Sequence, residues 1–300
     1  MVVGVDGSRI GSATVDLAAG EAVRRRAPLL IVHVWPGRYT GVFRGRGVVP
    51  SLADGRRLLD VSAMRAQRAG PDLAIGTELL DGGAAHELTS CSARASLLVV
   101  GHRDEILTRP SWGSTTAYLA HHSACPLLVQ RGPVPRDGPV VVAASARPTD
   151  TATLGYAFAE AALLRTRLVA VHMWTRPGAS EGAVPVVVAG GYATERREAE
   201  RALAESVAGW SARFPDVPVE RLVVHDLDMA YTIERASRRG RLLVAGIGRH
   251  GRFAELLYGA LSPNPGALQR ATCPVVIVPS AWLVCDLTST LGGPIAATPR

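Results

Sequence analysis

The chain has 300 residues, 47% of them hydrophobic and 20% charged, which excludes a disordered protein and provides material for two domains of ordinary size. The net charge is +7, and every cationic residue is Arg, but the arginines are scattered in short groups such as Arg24–Arg26. Because only 5% of residues are aromatic and no strand interleaves them with basic residues, nucleic acid is not expected as a partner.

The first part of the chain alternates short apolar segments with longer segments of helical period. Strands are predicted at Met1–Val5, Leu29–Val34, Ala74–Leu79, Leu97–Val100 and Leu127–Gln130. Helices are predicted between them at Thr14–Arg26, Leu52–Ala69, Ala84–Arg94 and Ser114–His122. The strands are continuous Val/Leu/Ile runs, which is typical of parallel strands buried on both faces.

The second half of the chain repeats the first. Ser12–Trp35 aligns without a gap on Thr151–Trp174, with 10 of 24 positions identical. Cys125-Pro126 and Cys273-Pro274 each precede an apolar last strand. A repeat of this length indicates a duplicated domain rather than a solenoid.

The second copy predicts the same series of elements. Its strands are expected at Val140–Ala144, Leu168–Val171, Val219–Val224, Leu242–Ala245 and Val275–Val278. The predicted fold is therefore α/β, with two tandem doubly wound, Rossmann-like domains, each an open five-stranded parallel sheet flanked by about four helices. Residues 1–132 and 139–280 are assigned to the two domains, a Pro- and Gly-rich linker joins them, and the tail 281–300 is unassigned.

Ligands of open α/β sheets bind beyond the carboxyl ends of the strands, so binding residues are expected where the strands run into loops. Asp6 follows the first strand in a Gly-containing turn, where its carboxylate can accept hydrogen bonds from an adenine amino group or a ribose hydroxyl. The alternative is an Asp that only caps a turn or helix, and this motif alone does not distinguish the two.

Two further features follow strands. His33 lies at the end of the second strand and recurs as His172, a repetition that favours a structural role. Gly101 ends the fourth strand, and Gly113 precedes the hydroxyl residues of a predicted helix start. Backbone N–H groups and the positive end of that helix favour an anion, although an ordinary Ser/Thr cap gives the same pattern.

Together these residues resemble the universal stress protein family, up to about Ser280. The resemblance rests on the opening V-G-V-D-G-S, the strand ending H-V-W, the run L-L-V-V-G-H-R, and Cys-Pro before the last strand. It implies dimerisation through the last strand, within the chain as a pseudo-dimer or between chains. It also implies, in one branch, ATP bound at the strand tips through G-x2-G-x9-G-(S/T). The site residues implied by this likeness are Asp6 and the Val34 backbone for adenine, Gly101 for the ribose and phosphates, and Gly113, Ser114 and Thr115 for the phosphates.

The sequence departs from that pattern in both copies. In the first, Asp104 replaces the second motif glycine, so either Mg²⁺ bridges its carboxylate to the phosphates or the affinity falls. In the second, Ser145 replaces the adenine-binding Asp, Arg249 replaces the second glycine, and Ala260 stands at the Ser/Thr position. The first copy is therefore expected to hold the adenine nucleotide.

Two functions remain open from the sequence. The first is a tandem stress-response protein that binds ATP and is at most a weak ATPase, because the sequence shows no nucleophile elbow and no paired metal carboxylates. The alternative is a nucleotide-free dimeric interaction module whose glycine loops are degenerate. The four cysteines lack metal-ligand spacing, and no apolar stretch is long enough to span a membrane, so a cytoplasmic protein is expected.

Overall fold

The computed structural model describes residues 1–8, 10–35, 51–102, 114–132, 135, 137–144, 151–174, 191–225, 228–246 and 271–282. The chain divides into two compact units. The first contains Met1–Arg131 and the described residues Ala281 and Trp282, and the second contains Gly132–Ser280.

The first unit is a five-stranded parallel sheet with four helices in its described part. In chain order its elements are β1 (Val2–Val5), α1 (Gly11–Arg25), β2 (Leu29–Trp35), α2 (Leu52–Ala69), β3 (Ile75–Asp81), α3 (Ala84–Ser92), β4 (Leu98–Gly101), α4 (Ser114–His122) and β5 (Leu127–Gln130). The strand order is β3-β2-β1-β4-β5, and every one of these pairs is parallel.

The second unit repeats this architecture. Its described elements are β6 (Val140–Ala144), α5 (Thr151–Leu163), β7 (Leu168–Trp174), α6 (Gly191–Arg213), β8 (Val219–His225), α7 (Met229–Arg239), β9 (Leu242–Gly246) and β10 (Val275–Val278). The order β8-β7-β6-β9-β10, again parallel throughout, corresponds strand by strand to that of the first unit. The predicted pair of tandem doubly wound α/β domains is confirmed.

The inner strands form the core of each unit. All residues of β5, β6, β9 and β10 are buried, as expected for strands covered by helices on both faces. The expectation of burial is wrong for the outer strands β3 and β8, whose residues are half-buried or exposed. Among the described strands, each of these two has a neighbour on one side only, which explains why Glu78 and Glu220 are tolerated there.

The first helix of each unit carries the same polar residues in its interior. Thr14 and Thr153, and Glu21 and Glu160, are all buried. The turn after the helix also repeats, because Arg26 and Arg165 both have φ near +50°. In the first unit, Arg26 donates its backbone N–H to the carbonyls of Ala22 and Val23 and so closes α1.

Helix α1 begins at Gly11, three residues before its predicted start. The N-cap residue Ile10 makes no side-chain capping bond, so no cap signal marks this end in the sequence. Helix α2, which was predicted correctly, instead begins with a capping box between Ser51 and Asp54.

A buried hydroxyl connects corresponding elements in both units. Ser92, at the end of α3, accepts a hydrogen bond from the backbone N–H of Ala124 at 2.9 Å. In the second unit, Ser237 on α7 accepts the N–H of Thr272 at 3.1 Å. Each of these N–H groups belongs to the residue before the Cys that precedes the last strand, so both bonds fix the entry into that strand.

Replacing Ser237 with Ala is expected to destabilise the protein by about 1 kcal/mol, because the part-buried bond from the N–H of Thr272 to this buried hydroxyl is lost. Urea unfolding followed by circular dichroism measures the loss. The control is Ser206→Ala on α6. The hydroxyl of Ser206 donates to the carbonyl of Leu203 in its own helix, so its loss should lower the free energy of unfolding by less than about 0.5 kcal/mol. Equal costs for the two variants would contradict the assigned role.

Candidate functional site

The connections of the first sheet reverse direction next to β1. The chain passes from β1 to β2 on one side, and from β3 back across to β4 on the other. The carboxyl ends of β1 and β4 therefore border the crevice where open α/β sheets bind their ligands. Asp6 directly follows β1 and Gly101 ends β4, so the topology brings these two predicted site residues to the two sides of one crevice.

Asp6 is exposed and held by its own turn. Its Oδ1 accepts a hydrogen bond from the backbone N–H of Ser8 at 2.9 Å. Gly7, between them, has φ +76°, a conformation that favours glycine, and the turn leads into α1 through a bond from Gly11 N–H to Ser8. The turn-forming interpretation of this Asp is thus correct, and the turn also fixes the carboxylate at the sheet edge.

Gly101 packs tightly against the first turn of α1. A Cβ at this position would lie 2.7 Å from Oγ1 of Thr14 and 3.2 Å from Cγ2 of Ile10. The absence of a side chain therefore lets β4 and α1 approach each other, a role that the sequence did not indicate. The available signal was Thr14 itself, which is identical to Thr153 in the second copy and is fully buried.

Val34 lies one strand away from β1 on the other side. In the β1–β2 ladder Val5 is paired with His33, so Val34 is the next residue toward the carboxyl edge. It is half-buried, and on its other side it is paired in the ladder with Leu80 of β3. The backbone of Val34 thus borders the same edge as Asp6.

His33 supports this edge from inside the unit. Its Nδ1 lies 2.8 Å from the carbonyl oxygen of Val5, and because a carbonyl only accepts, the ring nitrogen donates. A Cβ added to Gly55 of α2 would lie 3.0 Å from Cδ2 of this ring, so α2 covers it closely. His172 repeats the bond to Ala144 at 2.9 Å, which supports the structural role predicted for both histidines.

The predicted phosphate side is described only in part. Gly113, together with Asp104, lies outside the described residues, as do Ser145, Arg249 and Ala260 of the second copy. Helix α4 begins at Ser114, and Thr115 in its first turn is half-buried. Since α4 follows β4 and connects it to the parallel strand β5, its N-terminus starts from the carboxyl edge that also carries Asp6.

The described thiols are not placed for chemistry. Cys91, Cys125 and Cys273 are buried and form no disulfide. Burial raises the pKa of Cys125 to about 11, which leaves it in the thiol form near neutral pH. Within the described part of the chain, no three His, Cys, Asp or Glu side chains are grouped as metal ligands, and no helix is long and apolar enough to cross a bilayer.

Both copies of the repeat are similar to one family of known proteins. Residues 1–131 and 138–279 each match the universal stress protein family. A universal stress protein of Mycobacterium tuberculosis is 31% identical over 295 residues, covering 92% of this chain and 96% of that protein. One from Mycolicibacterium smegmatis is 31% identical over 298 residues, covering 93% and 96%.

Solved structures share the fold of the whole chain. The crystal structure of a universal stress protein from Archaeoglobus fulgidus matches with a TM-score of 0.63 and 14% identity, covering 93% of this chain and 95% of that one. A functionally unknown protein from Pseudomonas aeruginosa matches with a TM-score of 0.63 and 12% identity, covering 96% and 95%. At these identities the likeness concerns the fold alone.

Replacing Gly101 with Ala is expected to destabilise the protein by about 1–3 kcal/mol, because the new methyl group would overlap Thr14. Adding Thr14→Ala removes the overlapping oxygen and is expected to recover part of the loss, a coupling that a double-mutant cycle measures. Gly83→Ala is the control, because nothing lies within 4 Å of a Cβ there. A loss as large in the control would rule out this packing role.

Burial lowers the pKa of His172 below the ordinary histidine value of about 6.5. The unfolded chain therefore binds a proton at this histidine at a higher pH than the folded chain does. The contribution of His172 to the free energy of unfolding is fully present above about pH 6.5 and is lost as the pH falls below it. For this one group, the free energy of unfolding changes by at most about 1.4 kcal/mol per pH unit. Urea unfolding between about pH 7.5 and 5.5 should show a flatter profile for His172→Gln than for the exposed control His122→Gln. Identical profiles would contradict this assignment.

Proposed function

Because the chain belongs to the universal stress protein family, we propose that it is a stress-response protein that binds ATP in its first copy and responds to it as a regulator. The observation that carries the proposal is the exposed carboxylate of Asp6, fixed by its turn at the switch point of the sheet. The turn orders the carboxylate before a ligand arrives, which lowers the entropic cost of binding.

The adenosine part of the nucleotide is assigned to β1 and β2. The carboxylate of Asp6 accepts a hydrogen bond from the adenine amino group or a ribose hydroxyl, and the backbone of Val34 provides the neighbouring polar groups. Their order along the edge follows from the ladder in which Val5 is opposite His33. His33 holds the carbonyl of Val5, the last residue before Asp6, and so keeps this end of β1 in place.

The phosphates are assigned to the other side of the crevice. Gly101, Gly113, Ser114 and Thr115 are their proposed contacts, with the N-terminus of α4 supplying N–H groups and the positive end of its dipole. The close packing of Gly101 on α1 explains this glycine without a ligand, so Asp6 carries more of the argument. Asp104 makes Mg²⁺ the expected companion of the nucleotide, because a cation offsets its repulsion of the phosphates.

The second copy is proposed to contribute structure and regulation instead. Ser145 stands where the first copy has the adenine-binding Asp, and Arg249 and Ala260 replace two further motif residues. A single nucleotide per chain is therefore expected. Pairing through the last strands, within or between chains, and a cytoplasmic location stay predictions.

Asp6→Asn is the variant that separates the two roles of this side chain. Asn keeps an oxygen for the N–H of Ser8 but presents an amide NH₂ in place of the second carboxylate oxygen, so the turn is retained and the ligand acceptor is lost. Calorimetry with ATP and Mg²⁺ should give one site per wild-type chain and binding at least about tenfold weaker in Asp6→Asn.

The control is Asp60→Asn on the exposed side of α2, which removes the same charge and should leave the affinity within about twofold. Equal weakening in both variants would assign the effect to net charge. If the wild type bound no adenine nucleotide at about 1 mM, the proposal would fail and the nucleotide-free interaction module would replace it.

A further inference from the structure

Helix α7 of the second unit presents a basic face to solvent. Arg235 lies four residues after Tyr231, and Arg238 and Arg239 lie three and four residues after Arg235. All four side chains are exposed, Tyr231 by 63%. They line a surface depression of about 350 Å³ together with Glu234. Met229, Ile233 and Ser237 form the opposite, buried face of the helix. The four exposed residues are named here the Tyr-Arg face.

The first unit provides an internal comparison for this face. Ser92 and Ser237 occupy corresponding positions, since each accepts an N–H from the segment before the last strand. Counting from them, Ser90 and Ala93 of the first unit correspond to Arg235 and Arg238. Residues 84–94, which correspond to α7, contain one Glu and one Arg and have a net charge of 0, whereas α7 contains three Arg and one Glu and has a net charge of +2. Arg94 corresponds to Arg239, so the fold itself does not require Arg235 or Arg238.

The local bonds of the Tyr-Arg face show what it can recognise. Arg238 binds the carboxylate of Glu234 on its own helix, with Nη2 to Oε1 at 2.7 Å. Arg235 donates to the hydroxyl of Tyr231 at 3.3 Å, which orients its guanidinium beside an exposed aromatic ring. Tyr and Arg are the residues most enriched at the energetic centres of protein interfaces, and the guanidinium fork fits a carboxylate.

We propose that the Tyr-Arg face is a docking surface for an acidic segment of a partner protein. The face extends over nine residues of helix, with about 12 Å between the first and the last, which matches about four residues of extended chain. The three arginines of the face bind the carboxylates of the segment, and Tyr231 packs against its backbone or an apolar side chain. This surface is independent of the nucleotide site proposed in the first copy.

Charge complementarity favours a peptide over nucleic acid. Glu234 lies within the face and is 26% exposed, so its carboxylate repels a continuous phosphate backbone. Three arginines on one helix also supply fewer contacts than the six to ten phosphates, roughly, that a strong electrostatic complex neutralises. A short segment can place its carboxylates on the arginines and avoid Glu234.

The test uses a fluorescein-labelled octa-glutamate peptide and fluorescence anisotropy with the full chain at about 50 mM NaCl. The variant Arg235→Ser/Arg238→Ala introduces the residues of the first copy and should bind at least about tenfold more weakly than the wild type. The charge reversal Arg235→Glu should have a larger effect. Both residues replaced, Arg235 and Arg238, are exposed, so unchanged thermal unfolding is expected and checked for each variant.

A matched control removes the same charge elsewhere. Arg196→Ser/Arg201→Ala changes two exposed arginines of α6 that are paired with Glu200 and Glu205, and should change the affinity by less than about twofold. Equal loss in both double variants would overturn the proposal, because it would assign binding to net charge. Absence of octa-glutamate binding by the wild type would also overturn it, as would tighter binding of a dT oligonucleotide that depended on the same arginines.

Discussion

Parallel pairing of the strands is the constraint on which both units depend. A strand that continues in the same direction as its neighbour requires a crossover, and helices α1–α7 provide the described crossovers. These helices cover both faces of the sheet, so the inner strands must be apolar throughout. All carboxyl ends also meet at one edge, which is why Asp6 and Gly101, far apart in the sequence, come to border one crevice.

The sequence predicts the elements well because parallel strands are so distinctly apolar. Helix α2 and strands β5, β6 and β10 agree with the prediction residue by residue. The disagreements occur where pairing or capping sets a boundary. Strand β2 continues to Trp35 because that residue pairs with Asp81 of β3, and neither residue alone predicts such a partner.

The sequence predicts which strand ends form the candidate site, but not the contacts that hold its residues in place. Asp6 can be recognised from its position after an apolar strand, next to a glycine. The role of Gly101 could not be read in this way, because it depends on a contact with Thr14 between two elements that are distant in the sequence. A glycine at a strand end thus has two explanations, helix packing and ligand access, and only coordinates separate them.

Duplication within the chain distinguishes residues that the fold requires from residues that it does not. Polar groups inside the units are retained, as in the pairs His33 and His172, and Ser92 and Ser237, because a buried donor or acceptor left without its partner is costly. Exposed positions carry no such penalty, and there the copies differ in opposite directions. The exposed Ser90 of the first copy corresponds to the exposed Arg235 of the second, and the sequence has Ser145 in place of the exposed Asp6. One core can therefore support two surfaces of different charge.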